Sequence, residues 1–377
     1  MENFPIIFVG KQNFKNYRGG IETFSKLFFE CFDFNLAGIF FNEENKLLTY
    51  KKKRIILIKQ IFNFLGAPFS LFPFKALIKT KPKIIHLNCP NPFIELQLLL
   101  YFLARGKKER LLITYHADAP HYTIFHKFFD FLRHFWLIPL LMISDKIILT
   151  SKEYLLKSFA PRLFKQKAKI IPLGIDFSEL KKIKKIKLNS KNKKIVLFVG
   201  RLYKYKGLKY LVKAFKKVSE EIPQSLLIIA GSGPLLWKLK KLSRKLGIEN
   251  QVIFTGEVKS EERNYLYKIC DVFVLPSINK GEAFGLSMVE AMYFAKPIVS
   301  TKIKGSGVTF VNKHGLTGLV VKPKDSEQLA NAIIKLLKNR KLAKKLGKNA
   351  RKRCLKLFDA KRMIKEYEKV YGELLKS

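Results

Sequence analysis

Two parallel α/β domains, each a doubly wound Rossmann-like sheet, with a cleft between them, are what this sequence of 377 residues predicts. Three observations carry that expectation. Short apolar runs of strand length alternate with helical periods throughout, the pattern of parallel sheets buried on both faces. The length exceeds what a single hydrophobic core ordinarily holds. The alternation is interrupted at 181–194, where eight lysines stand without an acidic residue, and then restarts.

In chain order, the first series places strands at 6–9, 37–41, 55–58, 84–87, 111–115, 146–149 and 170–172, with helical stretches between most of them. These fill a domain over 1–180. Like charges repel and extend a segment, so 181–194 is expected to be an exposed interdomain linker, with a polybasic surface anchor as the sharper reading. A second domain, 195–358, holds strands at 195–199, 226–229, 252–254, 272–275, 298–300 and 318–321. Its helices are expected at 208–221, 235–246, 261–270, 286–295 and 326–338. From 341 to 375 the period is helical and the composition very basic.

Composition narrows the partners. Hydrophobic residues make up 48%, enough for two cores, while 73 Lys+Arg against 29 Asp+Glu leave a net charge of +44. Such a balance favours nucleic acid, an anionic lipid surface or a phosphorylated substrate, although A/T-rich coding would also enrich lysine. Nucleic acid is disfavoured because the phenylalanines sit in apolar runs with core spacing rather than as stacking platforms. Four scattered cysteines form no metal or redox spacing and fit a reduced, cytoplasmic compartment. No signal peptide is read at the start. The greasiest run, 135–143, is half a membrane span and contains Pro139, so it reads as a buried helix. Peripheral contact with an anionic membrane surface stays open, at the basic segment or at the phenylalanine-rich 62–74, where core packing beneath a loop is the competing reading.

Chemistry-bearing residues cluster where strands end. Gly281-Glu282-Ala283-Phe284-Gly285-Leu286-Ser287-Met288-Val289-Glu290-Ala291-Met292 follows the strand-like 271–277 and runs into a helical pattern. Ligands of open parallel sheets bind at that carboxyl edge, where a carboxylate grips neighbouring hydroxyls of a ribose or sugar. The plainer reading is a helix N-terminal carboxylate plus a surface glutamate. Eight helical residues rise about 12 Å, more than the roughly 5–9.5 Å of two carboxylates sharing one glycosidic bond, so Glu282 and Glu290 are not expected to act as an acid/base pair.

Three other loops join them. Asn16-Tyr17-Arg18-Gly19-Gly20-Ile21-Glu22-Thr23 follows the first strand and opens a helix; paired glycines and a helix N-terminus suit a phosphate, or make a tight turn. It is neither a Walker loop nor a GxGxxG fingerprint. Val199-Gly200-Arg201-Leu202-Tyr203-Lys204-Tyr205-Lys206-Gly207 sets Arg201 and Lys206 about a strand-to-helix turn, where two cations neutralise a departing diphosphate. Tyr115-His116-Ala117-Asp118-Ala119-Pro120-His121 ends another strand. Metal ligation by His116, Asp118 and His121 is thinner than a hydrogen bond from His116 to a sugar hydroxyl. No Asp-X-Asp element stands at a strand end, so no metal and no cofactor are expected.

With Pro172-Leu173-Gly174-Ile175-Asp176, Gly231-Ser232-Gly233-Pro234-Leu235, Leu275-Pro276-Ser277 and Thr317-Gly318-Leu319-Val320-Val321, these motifs in this order resemble the retaining glycosyltransferases of family four. The resemblance runs from Gly19 to the C-terminal helices and implies the GT-B fold, with 359–377 returning to the first domain. It implies that Glu290 holds the donor ribose. Glu282 and the backbone of Phe284, Gly285 and Leu286 hold the donor hexose and phosphate. Arg201 and Lys206 take the diphosphate, aided by the loop of Gly19 and Gly20. His116 meets the donor sugar, Val258 and its neighbours in 255–258 meet the base, and Asp118 contacts acceptor or sugar. The wording around His116-Ala117-Asp118, Ser306-Gly307-Val308 and Asn312 is most similar to mannosyl- and rhamnosyltransferases of cell-surface polysaccharide. The implied reaction is metal-independent transfer of a hexose from a nucleotide-diphosphate sugar to a glycan or lipid-linked acceptor, with retention. A sugar-nucleotide epimerase of the same fold and a basic nucleic-acid-binding protein are the alternatives.

Overall fold

A computed structural model describes residues 4–13, 19–64, 67–118 and 124–376. The chain forms two compact units, Met1–Gly174 with Ala360–Ser377 (unit 1) and Ile175–Asp359 (unit 2). It therefore passes between them at Gly174–Ile175 and Asp359–Ala360. The segment 181–194, expected to link the domains, lies inside unit 2. Lys184 N–H donates to Glu261 O (3.0 Å), and the Asn264 amide donates to the carbonyls of Glu179 (2.8 Å) and Lys182 (2.9 Å). Repulsion keeps its lysine side chains outward while the backbone is tied down.

Unit 1 begins with β1 (Ile6–Gln12), α1 (Gly20–Cys31), β2 (Leu36–Asn42), β3 (Lys46–Tyr50) and β4 (Lys53–Lys59). A small hairpin of β5 (Phe62–Phe64) and β6 (Ala67–Phe69) and α2 (Phe74–Thr80) lead to β7 (Ile84–Cys89), α3 (Pro92–Arg105) and β8 (Arg110–Tyr115). Then come α4 (Ile124–Ile143), β9 (Lys146–Leu149), α5 (Lys152–Lys157), α6 (Phe159–Leu163) and β10 (Ala168–Ile170). The main sheet runs β10-β9-β8-β7-β1-β2-β4-β3, parallel throughout except for β3. The strand β3 escapes a sequence reading because its hairpin turns on Lys51 and Lys52, both at positive φ (46° and 64°), where asparagine and glycine are the usual signal.

Unit 2 opens with α7 (Phe177–Lys181), β11 (Lys194–Val199), α8 (Leu208–Glu221), β12 (Ser225–Ala230) and α9 (Leu236–Lys245). It continues through β13 (Val252–Gly256), α10 (Ser260–Ile269), β14 (Val272–Leu275), α11 (Leu286–Tyr293) and β15 (Ile298–Thr301). It ends with α12 (Val308–Val311), β16 (Gly318–Val321), α13 (Ser326–Lys338) and α14 (Arg340–Leu357). Its sheet, β13-β12-β11-β14-β15-β16, is wholly parallel, so all six carboxyl ends share one edge. Helix α8 shows how the pattern folds: Leu208, Leu211, Val212, Phe215 and Val218 recur at helical spacing and are buried.

The basic C-terminal stretch breaks at Phe358–Asp359, and α15 (Ala360–Lys376) belongs to unit 1. Tyr367 and Tyr371 fasten it there. The imidazole of buried His86 on β7 lies 2.5 Å from Tyr371 Oη and 2.7 Å from Thr114 Oγ1, and Thr114 Oγ1 lies 3.0 Å from Tyr367 Oη. The greasy run 135–143 forms the second half of α4, but it is only half buried. Leu137, Leu140 and Leu141 face the core, while Phe135 and Met142 are exposed, because a helix laid on a sheet turns its other face outward. In 62–74, Phe62 and Phe64 are likewise exposed and Phe72 is buried.

Candidate active site

Strand β11 has β12 on one side and β14 on the other, so the chain reverses its direction of winding between β11 and β14. The crevice at the carboxyl ends of such a pair is where doubly wound sheets take ligands. Here two turns meet. Gly207 ends the turn after β11 at φ 68°, and a Cβ on it would lie 2.1 Å from Pro276 O, in the turn after β14. Only glycine lets the two backbones approach this closely. Ile278 N–H then donates to Tyr205 O at 2.8 Å.

That approach delivers Lys206 to Glu282. Nζ donates to Oε2 at 2.6 Å, Ser277 Oγ donates to the same oxygen at 2.8 Å, and both charged residues are buried. Burial disfavours the Lys206 ammonium, but the adjacent Glu282 carboxylate outweighs it and raises the pKa above the ordinary lysine value; the Arg201 charge opposes this. Arg201 is exposed, with its guanidinium 5.2 Å from the centre of the Tyr203 ring. The structure therefore sets one buried and one exposed cation at the end of β11.

The glutamate turn is held from behind. Ser306 Oγ donates to Glu282 O, and Gly307 N–H to Ala283 O at 2.7 Å. Phe284 is core, its ring edge-on to Phe358 at 5.7 Å, which leaves its backbone for any ligand role. Gly285 caps α11 at φ 84°. Because the helix starts at Leu286, Glu282 lies before it, and the 12 Å helical spacing does not apply to the pair. What separates the two glutamates is their partners. Glu290 accepts from Tyr267 Oη (2.7 Å) and pairs with Arg263 Nη2 (3.3 Å), both on α10. Val258 is half-buried beside the turn of Glu257, whose Oε1 accepts from Ser232 Oγ at 2.7 Å.

Unit 1 has its own reversal, between β1 and β7. Gly19 caps α1 in extended conformation, with Gly20 as its first residue. At the end of β8, His116 is buried; Nε2 lies 2.9 Å from Asn88 Oδ1, and Asn88 Nδ2 donates to Val9 O at 3.0 Å. The second bond fixes the amide, so Oδ1 accepts and Nε2 carries the proton. Burial lowers the pKa of His116 to about 3, which leaves a neutral imidazole whose Nδ1 is an acceptor. Phe24 of α1 packs edge-on against it at 4.7 Å. The Asp118 carboxylate accepts from Tyr115 Oη (3.0 Å) and Ser158 Oγ (3.3 Å), and its N–H donates to Tyr154 Oη. His121 lies outside the described residues.

The structure thus gathers Arg201, Lys206, Val258, Glu282, Phe284, Gly285, Leu286 and Glu290 along one sheet edge of unit 2. Gly19, Gly20, His116 and Asp118 lie at strand ends of unit 1. Sequence reasoning assigned no role to Ser277, which it had only as part of a motif, and missed Asn88, Arg263 and Tyr267. Asn88 follows directly on a predicted strand, and Arg263 and Tyr267 stand at i, i+4 on a predicted helix, but nothing local names their partners. Asn312, taken as a subgroup cue, is structural: its amide donates to Ser300 Oγ (2.8 Å) and Leu319 O (3.2 Å) and accepts from Thr317 (2.8 Å).

Comparison with known proteins agrees with this architecture. The family model described as glycosyl transferases group 1 matches residues 180–353. The chain is 30% identical to the O-antigen chain mannosyltransferase C of Escherichia coli, over 99% of both chains. It is 31% identical to the D-rhamnosyltransferase WbpZ of Pseudomonas aeruginosa, over 78% of this chain and 74% of that one. Among solved structures, the sucrose-phosphate synthase of Thermosynechococcus elongatus superposes with a TM-score of 0.78 at 23% identity, over 98% of this chain and 99% of that one, and so shares its fold. The chain belongs to the group 1 glycosyltransferases, family four, with the GT-B fold.

Proposed function

We propose that this glycosyltransferase moves a mannose-like hexose from a nucleotide-diphosphate sugar to a hydroxyl of a glycan or lipid-linked acceptor, with retention and without a metal ion. The observation that carries the reading is the Lys206–Glu282 pair across the β11/β14 reversal, a buried cation where a diphosphate would sit. The 30% identity over 99% of the chain to an O-antigen chain mannosyltransferase supports cell-envelope polysaccharide as the product class; the cytoplasmic face of the membrane is the workplace that goes with this proposal.

Roles follow from chemistry. Lys206 and Arg201 neutralise the charge that builds on the departing phosphate oxygen. Lys206 keeps its proton over the working pH range because Glu282 stabilises it. Glu282 holds Lys206 through one oxygen and offers the other to hexose hydroxyls, while the backbone at Gly285 and Leu286, at a helix N-terminus, favours phosphate. Glu290, oriented by Arg263 and Tyr267, takes the ribose, and the segment around Val258 takes the base. In unit 1, neutral His116 accepts a hydrogen bond from a sugar hydroxyl through Nδ1, the loop of Gly19 and Gly20 supports phosphate, and Asp118 lies on the acceptor side. The acceptor oxygen attacks the anomeric carbon on the face from which the diphosphate leaves. The carbon–phosphate oxygen bond breaks, and the hydroxyl proton passes to that phosphate oxygen.

Incubation with nucleotide sugars and a lipid-linked glycan, read by NMR at the anomeric proton, tests this. The expected product keeps the donor's configuration. An inverted linkage would reject the mechanism, and an isomerised donor without acceptor would establish the epimerase reading instead.

A further inference from the structure

The outer face of α4 breaks the rule that a surface helix turns polar residues to solvent. Ile124, Phe128, Phe131, Phe135 and Met142 are between 58% and 76% exposed. At 100° per residue they fall within roughly 60° of one another, a single stripe along the helix, opposite buried Arg133 and Leu140. Neighbours widen it. Exposed Phe64 of β5 packs on Phe129 at 5.3 Å, and exposed Phe159 of α6 on His134 at 5.5 Å, with Leu163 also exposed.

We propose that this face docks unit 1 onto an anionic phospholipid bilayer. Charge selects the occupant. Lys127 on α4, Lys157 at the end of α5 and Arg162 on α6 are exposed, and Lys167 donates to the carbonyls of Met142 and Ser144 at the helix end. Among the described residues of α4, α5, α6, β5 and β6, the carboxylates are Asp130, which is buried and 3.4 Å from Arg133 Nη1, and Glu153, which is half-buried, so cations outnumber acids on this face. Aromatic side chains rimmed by cations match an acyl boundary beneath negative headgroups. A second copy of the chain would instead bring two cationic rims together. No helix among the described residues is long and apolar enough to cross a membrane, so α4 lies on the surface. The inference deepens the proposed function, resting on it only for the lipid-linked acceptor.

Cosedimentation with vesicles of phosphatidylcholine alone, or of phosphatidylcholine with phosphatidylglycerol, tests the surface. Wild-type protein should bind the anionic vesicles in a salt-sensitive way and the neutral ones weakly. Phe131→Ser/Phe135→Ser, at exposed positions that spare the core, should lower that binding about tenfold or more. A thermal shift with nucleotide sugars, run on both proteins, reports fold and donor site independently. Donor response without vesicle binding overturns the docking surface and leaves the transferase standing. Vesicle binding that the double variant abolishes, without any donor response, upholds the surface and sinks the transferase reading. Equal binding by wild type and variant, or a dimer that the substitutions dissolve, also overturns the proposal.

Discussion

Arg133 in unit 1 meets Glu95 through two hydrogen bonds, Nε to Oε2 at 2.6 Å and Nη2 to Oε1 at 2.8 Å, with side chains 1% and 0% exposed. Lys206 in unit 2 meets Glu282 through one, at 2.6 Å, with side chains 10% and 8% exposed. The first pair is closed. Glu95 Oε1 also accepts Asn91 N–H (2.8 Å), the guanidinium lies 6.0 Å from the Tyr115 ring centre, and together they clamp α3 to α4. The second stands at a strand-end crevice, with a compact ammonium, a second cation nearby and a carboxylate oxygen beyond the one that Lys206 and Ser277 share. Burial alone does not separate a structural ion pair from a working one. Placement at the winding reversal is what proposes the second pair for the site.

The sharpest way to break this contrast is to remove one partner from each pair. Arg133→Met leaves the Glu95 charge buried and should cost about 3–5 kcal/mol in urea unfolding, most of it recovered in Glu95→Leu/Arg133→Met. Lys206→Ala should slow transfer by ~10²–10³-fold, equivalent to about 3–4 kcal/mol, with a smaller loss of stability. Here the apolar double replacement, Lys206→Met/Glu282→Leu, should restore no turnover. Rescue of activity by that double would make the second pair structural too.

Glu290→Ala should weaken nucleotide binding by about 1.5–3 kcal/mol, through loss of a charged hydrogen-bond acceptor, as read by calorimetric titration. A smaller effect concerns acid. The folded pKa of His116, about 3, lies below the unfolded value, so the unfolded chain takes up the proton first as pH falls. Stability is therefore full above about pH 6.5 and declines from there down to about pH 3. One unit below the unfolded pKa, His116 should account for about 1.4 kcal/mol of the loss. His116→Asn should remove that share of the acid slope; an unchanged slope would mean that the imidazole protonates in the folded state. Buried His86 is depressed in the same direction, chiefly by burial and then by the His116 charge, and adds a share of its own to the acid slope.

Much of this was legible in order along the chain. Apolar runs marked the parallel strands, glycines marked the turns that carry Lys206 and Glu282, and His116 stood directly after a predicted strand. What the sequence withheld is strand order. That β11 lies between β12 and β14, so that residues 76 positions apart form one ion pair, depends on winding that no local pattern encodes. For the same reason, nothing local marked Asn88, next after a predicted strand, or Tyr267, on a predicted helix, although they orient His116 and Glu290. Helix α4 misled differently: its apolar run predicted burial, and only the packed sheet shows which half of the cylinder is left uncovered.

The central claim, that the β11/β14 crevice grips a nucleotide-diphosphate sugar through Lys206, is tested most directly by thermal shift. GDP-, UDP-, dTDP- and ADP-sugars would be titrated into wild type and Lys206→Ala, since a ligand that binds only the folded state raises the transition temperature. At least one donor should stabilise the wild type, and the shift should collapse in the variant. No shift with any donor, or equal shifts in both proteins, would contradict the account.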